Sequence, residues 1–210
     1  MNDILPMVFV VDDDLGVLKS LARVLRSAGL EVATFSSPSE FLKQHVPRAA
    51  GCLVLDVAMP GLNGLELQAA LTAKDSAIPI IFLTGRGDIP MSVQAMKGGA
   101  VDFLTKPIDD EDLLKAVHAA LEKDRIERQS RAELDEIQER LATLTPRERE
   151  VLTHVVSGQL NKQIANDLGT VEKTIKVHRA RVMEKMKVNS VAELVRLTER
   201  LGSALVRGAS

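Results

Sequence analysis

Six polar residues in the first half of the chain each follow or end a short apolar run of the kind that forms a β-strand: Asp12, Asp13, Asp14, Asp56, Thr84 and Lys106. If these runs are parallel strands, their carboxyl ends meet at one edge of a sheet and the six side chains converge there. Carboxylates crowded in this way repel one another by roughly 1 kcal/mol per pair at ~4 Å in water. The cluster therefore predicts either protonation or a bound hard cation, and its oxygen ligands suit Mg²⁺.

The apolar runs predict the fold that brings these residues together. Five of them are expected as strands: Val8–Val11, Val32–Phe35, Cys52–Leu55, Ile80–Leu83 and Val101–Leu104. Most are continuously apolar, as in parallel strands that helices cover on both faces. Leu18, Leu21 and Leu25 recur at helical spacing between the first two runs. This alternation indicates an α/β doubly wound (βα)5 domain.

The polar groups at this edge suit the transfer of a phosphoryl group to a carboxylate. Asp56 can act as the nucleophile. A bound cation, the Thr84 hydroxyl and the Lys106 ammonium can hold the remaining phosphoryl oxygens. The sequence thus predicts a phosphoryl-acceptor site centred on Asp56.

Residues 7–122 resemble the receiver domain of bacterial response regulators. Four motifs in order carry the resemblance: Val-Val-Asp-Asp-Asp at 10–14, Leu-Asp-Val-Ala-Met-Pro-Gly at 55–61, Thr84-Gly85 and Lys106-Pro107. The resemblance implies that Asp56 accepts phosphate. It also implies that Asp13, Asp56 and the Ala58 carbonyl bind Mg²⁺, with Asp12 assisting the metal.

The same resemblance assigns roles around the acceptor. Lys106 is expected to pair with the phosphoryl group, and the Lys106-Pro107 peptide is expected to be cis. Thr84 is expected to move and to form a hydrogen bond with the phosphoryl group. Phe103 occupies the switch-aromatic position. Ala58 and Arg86 occupy two variable positions that tune phosphate lifetime in this family. Since an alanine side chain cannot position an attacking water, we expect no fast self-dephosphorylation.

Charge is distributed unevenly along the chain. The formal net charge is −2, but residues 1–124 carry −6 and residues 125–210 carry +4. An acidic half joined to a basic half is typical of a nucleic-acid-binding protein with a separate input module. The single cysteine excludes an internal disulfide, and neither a long apolar run nor a signal peptide is recognisable. These features predict a cytoplasmic location.

A highly charged helix is predicted from Asp109 towards Leu144. Leu134, Ile137, Leu141 and Leu144 recur at intervals of three and four, as in a short coiled-coil seam. A pairing seam and a solvated connector both fit this pattern. We therefore divide the chain into a receiver domain (1–122), a long linker helix (123–143) and an all-α, four-helix, helix-turn-helix domain (144–210).

The segment 161–187 reads as helix, turn, helix, with Asn161 and Thr170 as the expected caps. At about 100° per residue, the second helix has an inward stripe of Val171, Ile175, His178, Val182 and Met186. Lysines and small apolar residues face outward and suit the major groove, while flanking arginines suit phosphates. The predicted DNA-binding residues are Asn161, Lys162, Lys173, Thr174, Lys176, Val177, His178, Arg179, Ala180, Arg181 and Lys185.

Residues 144–201 resemble the LuxR-type helix-turn-helix. The motifs are Leu144-Thr-Pro-Arg-Glu-Arg-Glu-Val-Leu152, Asn161-Lys-Gln-Ile-Ala165 and Thr174-Ile-Lys-Val-His178. With the receiver, they indicate a response regulator of the FixJ/NarL type, and Gly85-Arg-Gly-Asp-Ile-Pro90 leans towards FixJ. The resemblance implies a non-enzymatic transcription regulator whose partners are a sensor histidine kinase, double-stranded operator DNA and RNA polymerase. It also implies a homodimer on phosphorylation, with Ser190 to Leu201 as the output domain's dimerisation helix.

The sequence disfavours three other functions. An aspartate-nucleophile phosphatase needs Asp-x-Asp-x-Thr/Val, whereas the fifth residue counted from Asp12 is Gly16. A receiver that serves only as a dimerising scaffold would not need an intact acceptor site. A LuxR-type sensor of acyl ligands is disfavoured because the chain has no Trp or Tyr to line a ligand pocket.

Overall fold

The computed structural model describes residues 5–46, 49–74, 76–85 and 89–207. The chain divides into two compact units, Met1–Arg128 and Gln129–Ser210. No helix in the described ranges is both long and apolar enough to cross a lipid bilayer.

The first unit contains a parallel sheet in the order β2-β1-β3-β4-β5. Its strands are β1 (Met7–Val11), β2 (Glu31–Phe35), β3 (Gly51–Asp56), β4 (Ile80–Thr84) and β5 (Asp102–Thr105). The helices between them are α1 (Leu15–Ser27), α2 (Pro38–Gln44), α3 (Gly64–Ala73) and α4 (Ile89–Lys97), and α5 (Asp110–Ala142) follows β5. The predicted doubly wound (βα)5 fold is confirmed.

Apolar side chains on the two faces of the sheet form separate cores. One core joins β1 and β3 to α1 and α5 through Leu21, Leu25, Leu113 and Val117. The other lies against α2 and α3 and includes Phe41, Leu67 and Phe82. β3 and β4 are buried along their whole length. This double coverage explains why those strands are continuously apolar.

The second unit is helical in its described part. Beyond α5 it contains α6 (Pro146–Val156), α7 (Asn161–Asp167), α8 (Glu172–Lys185) and α9 (Val191–Arg207). Thr145 and Glu148 form a capping box at the start of α6, where Thr145 N donates to Glu148 Oε2 over 2.9 Å. Gly158, at φ +84°, follows the end of α6 in the left-handed conformation that glycine adopts without steric cost.

The boundary between the units falls within α5, and the end of this helix belongs to the second core. Ile137 and Leu144 are buried there with Val151 and Ile175, and Leu134 and Leu141 pack against the same cluster. These four residues pack within their own chain, so neither of the two alternatives, a pairing seam or a solvated connector, describes them. The limits of the linker at 123–143 remain a prediction.

Candidate functional site

Three carboxylates meet at the carboxyl edge of the parallel sheet. Asp12 follows β1, Asp56 ends the adjacent β3, and both are buried, whereas Asp13 is exposed. Each of the three offers one oxygen within 4.8 Å of the other two. Asp14 is used differently, because its side chain accepts from Gly16 N over 2.7 Å and caps α1. The structure therefore separates the third aspartate of the run from the first two.

Lys106 enters this cluster from the end of β5. Its Nζ lies 2.5 Å from Asp12 Oδ2 and 3.3 Å from Asp56 Oδ1. Its backbone N–H donates to Thr84 O over 2.6 Å, and the Lys106-Pro107 peptide is cis, as predicted. Thr84 is buried at the end of β4. The Asp56 carboxylate, the Lys106 ammonium and Thr84 thus lie at one edge of the sheet.

Burial sets the electrostatics of this cluster. It raises the pKa of the Asp56 carboxyl, and the charge on Asp12 acts in the same direction, while Lys106 opposes both. Partial burial alone would lower the pKa of Lys106, but its bonds to Asp12 and its attraction to Asp56 raise the pKa overall. Lys106 is therefore firmly cationic, and it offsets part of the repulsion between the two buried carboxylates.

The oxygen donors at this edge fit a hard divalent cation. Asp12, Asp13 and Asp56 supply carboxylate oxygens close enough to share one ion, and oxygen-only sets of this kind suit Mg²⁺. Ala58 lies two residues beyond Asp56, and its backbone N–H bonds the Asp56 carboxylate. Of the two predicted lifetime positions, Ala58 is exposed, whereas Arg86 lies outside the described residues.

Three apolar side chains on α4 and β5 are only partly buried. Phe103 on β5 is half-buried, with its ring 6.4 Å from that of Phe82. On α4, Val93 and Met96 are 47% and 48% exposed. We call Val93, Met96 and Phe103 the α4–β5 surface.

The second unit contains the predicted helix-turn-helix as α7 and α8. Ile175, Val182 and Met186 are buried, as the stripe predicts. Val171 does not belong to the stripe, because it is the N-cap residue preceding α8 and is 64% exposed. His178 is half-buried and its Nδ1 is enclosed without a hydrogen-bond partner among the described residues.

Six of the eleven predicted DNA-binding residues are exposed and the other five are half-buried. The exposed members are Lys162, Lys173, Lys176, Val177, Ala180 and Arg181, and the half-buried ones are Asn161, Thr174, His178, Arg179 and Lys185. Lys176 pairs with Glu172 one turn earlier, at 3.0 Å. An exposed pair of this kind is weak and competes poorly with a phosphate or a base.

The caps of these helices differ from the prediction. The N-cap of α7 is Leu160, and Asn161 is the first helical residue. Asn161 Oδ1 instead accepts from Arg179 Nη1 on α8 over 2.9 Å. The N-cap of α8 is Val171 rather than Thr170. Neither N-cap residue supplies a side-chain hydrogen bond, but at α7 the Leu160 N–H donates to Gln163 Oε1 over 2.8 Å.

Lys185, at the end of α8, is held within the domain. Its Nζ lies 2.6 Å from Glu148 Oε2 and 3.1 Å from Thr143 O. Glu148 is 2% exposed. The Lys185 hydrogen bond, with those of the capping box, lowers the pKa of Glu148 to about 2 from its ordinary 4.5. The capping box can be predicted from the sequence. The ion pair cannot, because it joins residues that lie 37 positions apart in the chain.

Because the pKa of Glu148 is lowered, the free energy of unfolding of the second unit is expected to depend on pH. Its folded-state pKa is depressed, so its stabilising effect is complete above about pH 4.5 and is lost as the pH falls towards 2. Glu148→Gln should cost about 2 kcal/mol at pH 6, in the range of a charge-assisted hydrogen bond. The difference from wild type should shrink by pH 3. Urea-dependent hydrogen exchange of α6 peptides measures it.

Glu150→Gln is the matched control for that experiment. Glu150 pairs with Arg147 at 2.7 Å on the same helix, but its side chain is 52% exposed. An exposed pair is worth under about 1 kcal/mol. Equal losses in the two variants, or a Glu148→Gln loss that does not change with pH, would contradict the assignment.

Comparison with protein families finds one match on each side of the boundary between the two units. The model of the response regulator receiver domain matches residues 8–118. The model of the bacterial regulatory proteins of the luxR family matches residues 142–198.

Several characterised proteins are similar over nearly the whole chain. Nodulation protein W of Bradyrhizobium diazoefficiens is 50% identical over 196 residues, which are 93% of this chain and 86% of that protein. The transcriptional regulatory protein FixJ of Azorhizobium caulinodans is 46% identical over 97% of this chain and 96% of its own. The solved structure of the response regulator StyR is 49% identical, with a TM-score of 0.87 and coverage of 93% and 99%.

Proposed function

We infer the function of this chain from its family: it belongs to the response regulators that join a receiver domain to a LuxR-type DNA-binding domain. Its relatives include transcriptional regulators of two-component systems. From this premise we propose that Asp56 is phosphorylated by a sensor histidine kinase. We further propose that phosphorylation controls dimerisation and binding to operator DNA, where the protein regulates transcription together with RNA polymerase.

One observation carries the proposal. In a chain that also holds a helix-turn-helix, the buried Asp56 carboxylate lies within 4.8 Å of the Asp12 and Asp13 oxygens, with Lys106 Nζ 3.3 Å away. A solvated acidic loop would not need a buried carboxylate or a buried threonine beside it. Since the partners are a kinase and DNA, we place the protein in the cytoplasm.

In the proposed transfer, an Asp56 carboxylate oxygen attacks phosphorus. A P–O bond forms as the bond from phosphorus to the donor's imidazole nitrogen breaks, and that nitrogen keeps the electron pair. Lys106 and Thr84 take positions on the phosphoryl oxygens. Mg²⁺ held by Asp12, Asp13, Asp56 and the Ala58 carbonyl would neutralise charge on those oxygens. The regulator is a stoichiometric acceptor rather than an enzyme that turns over a substrate.

The test is DNA binding with and without a phosphoryl donor. Full-length protein is incubated with Mg²⁺ and acetyl phosphate and footprinted on genomic fragments. We expect discrete protected sites whose affinity rises on phosphorylation. Protection that does not change with acetyl phosphate, although Asp56 is labelled, would favour a receiver that acts only as a scaffold.

We propose that Lys176 contacts base edges, whereas Arg179 and Arg181 contact phosphates. Lys176→Ala should then cost about 1–3 kcal/mol and relax sequence preference. Arg179→Ala should weaken all sequences to a similar extent and flatten the dependence of log K on log salt by about one unit. Binding titrations on the footprinted site and on scrambled sites measure both effects. An equal loss of specificity in both variants would contradict the assignment.

A further inference from the structure

The contact between Arg179 and Asn161 joins the two helices of the DNA-binding motif. Arg179 Nη1 donates to Asn161 Oδ1 over 2.9 Å, and both side chains are half-buried. A half-buried guanidinium loses part of its hydration and needs an acceptor in exchange. The acceptor here is a neutral amide.

Three other cations of this unit pair with carboxylates instead. Lys176 pairs with Glu172, Lys185 with Glu148, and Arg147 with Glu150, at 3.0, 2.6 and 2.7 Å. Among the described residues, no carboxylate oxygen lies within the 4.0 Å ion-pair distance of Arg179. Arg179 is therefore oriented by a partner that leaves its positive charge uncancelled.

We propose that Asn161 is a positioning residue: its side-chain amide holds the Arg179 guanidinium in place for a DNA phosphate without neutralising it. This inference rests on the proposed DNA-binding function. A guanidinium has five N–H donors, and only one is used by Asn161 in this contact, so the others remain for phosphate oxygens. Because a fixed side chain loses less entropy on binding, the contact raises affinity without a direct bond from Asn161 to DNA.

The Asn161→Asp variant tests the requirement for a neutral acceptor. A carboxylate at this position keeps a partner for Arg179 but cancels its charge and repels phosphate. We expect the second unit to be as stable as in wild type or more so, while affinity for duplex DNA falls about tenfold and the salt slope flattens by about one unit. A residue with a merely structural role would not separate stability from DNA affinity in this way.

The measurement uses the full-length protein with beryllofluoride and a labelled random-sequence duplex. Fluorescence anisotropy over a range of KCl concentrations yields affinity and salt slope, and hydrogen exchange of α7 and α8 yields stability. Asn166→Asp is the matched control, since Asn166 is an exposed residue of the same helix and its replacement changes the net charge equally. Asn161→Asp and Asn166→Asp variants that bind DNA alike would overturn the proposal.

A double-mutant cycle separates positioning from direct contact. Asn161→Ala should lower affinity about threefold in wild type and should have no effect when Arg179 is already alanine. The same loss in both backgrounds would show that Asn161 touches DNA itself and would overturn the proposal. If wild type fails to bind the duplex, the proposed function fails, which is a different result from either of these.

Discussion

Asp56→Asn is expected to abolish phosphoryl incorporation, whereas wild type treated with acetyl phosphate and Mg²⁺ gains one phosphoryl group. The amide is nearly isosteric with the carboxylate, so the fold should persist, but it is not a competent nucleophile for phosphorus. Asp56 is buried at the end of β3, and its Oδ1 lies 3.3 Å from Lys106 Nζ. Intact-mass spectrometry counts the groups added.

Asp14→Asn is the matched control for this prediction. Asp14 belongs to the same acidic run, but its side chain caps α1 by accepting from Gly16 N and Val17 N. Asparagine caps helices about as well as aspartate, so the helix should be retained. We expect near-normal labelling of this variant, and loss of labelling in wild type when EDTA removes Mg²⁺. Full labelling of Asp56→Asn would refute Asp56 as the acceptor.

Phosphorylation of Asp56 is expected to convert monomers into dimers through the α4–β5 surface. A phosphoryl group beside Thr84 and Lys106 acts on residues at the ends of β4 and β5. The α4–β5 surface lies next in the chain and leaves Val93 and Met96 about half exposed. A dimer can contact two operator half-sites, and the second contact then gains from high effective concentration.

Beryllofluoride, a phosphoryl mimic, should raise the sedimenting mass to that of a dimer at micromolar concentration. Val93→Asp should weaken this dimer about tenfold or more, since burying a charge at an apolar contact costs at least ~1–3 kcal/mol. Val46→Asp is the matched control, because Val46 is 66% exposed and lies after α2, outside this surface.

Two outcomes would contradict the switch. If the protein sediments as a monomer with and without beryllofluoride, dimerisation driven by phosphorylation is contradicted, whereas the proposed DNA binding is unaffected. A dimer without beryllofluoride would point to constitutive pairing, for which the segment 190–201 is the candidate. In α9, Leu194 and Leu201 are already buried within their own chain, so any such pairing must use the remaining faces of the helix.

The sequence alone predicts those features that depend on neighbouring residues. Continuous apolar runs identify β1, β3 and β4, since most side chains of a strand covered on both faces must be apolar. Intervals of seven and four residues, about two turns and one turn of a helix, identify Ile175, Val182 and Met186 as the buried side of α8 and its C-cap. The cluster of polar residues at the sheet edge is also predictable, because parallel strands bring their carboxyl ends together whatever covers the sheet.

Only the tertiary structure shows which element covers a given face and which charges become partners. The apolar residues near the end of α5 pack into their own domain, although the same spacing would serve a second chain. Asn161 reaches Arg179 and Glu148 reaches Lys185 across 18 and 37 residues. Periodicity is set by the geometry of a single helix, whereas these contacts depend on how helices pack against each other. That packing is decided by the whole core, so no local pattern contains it.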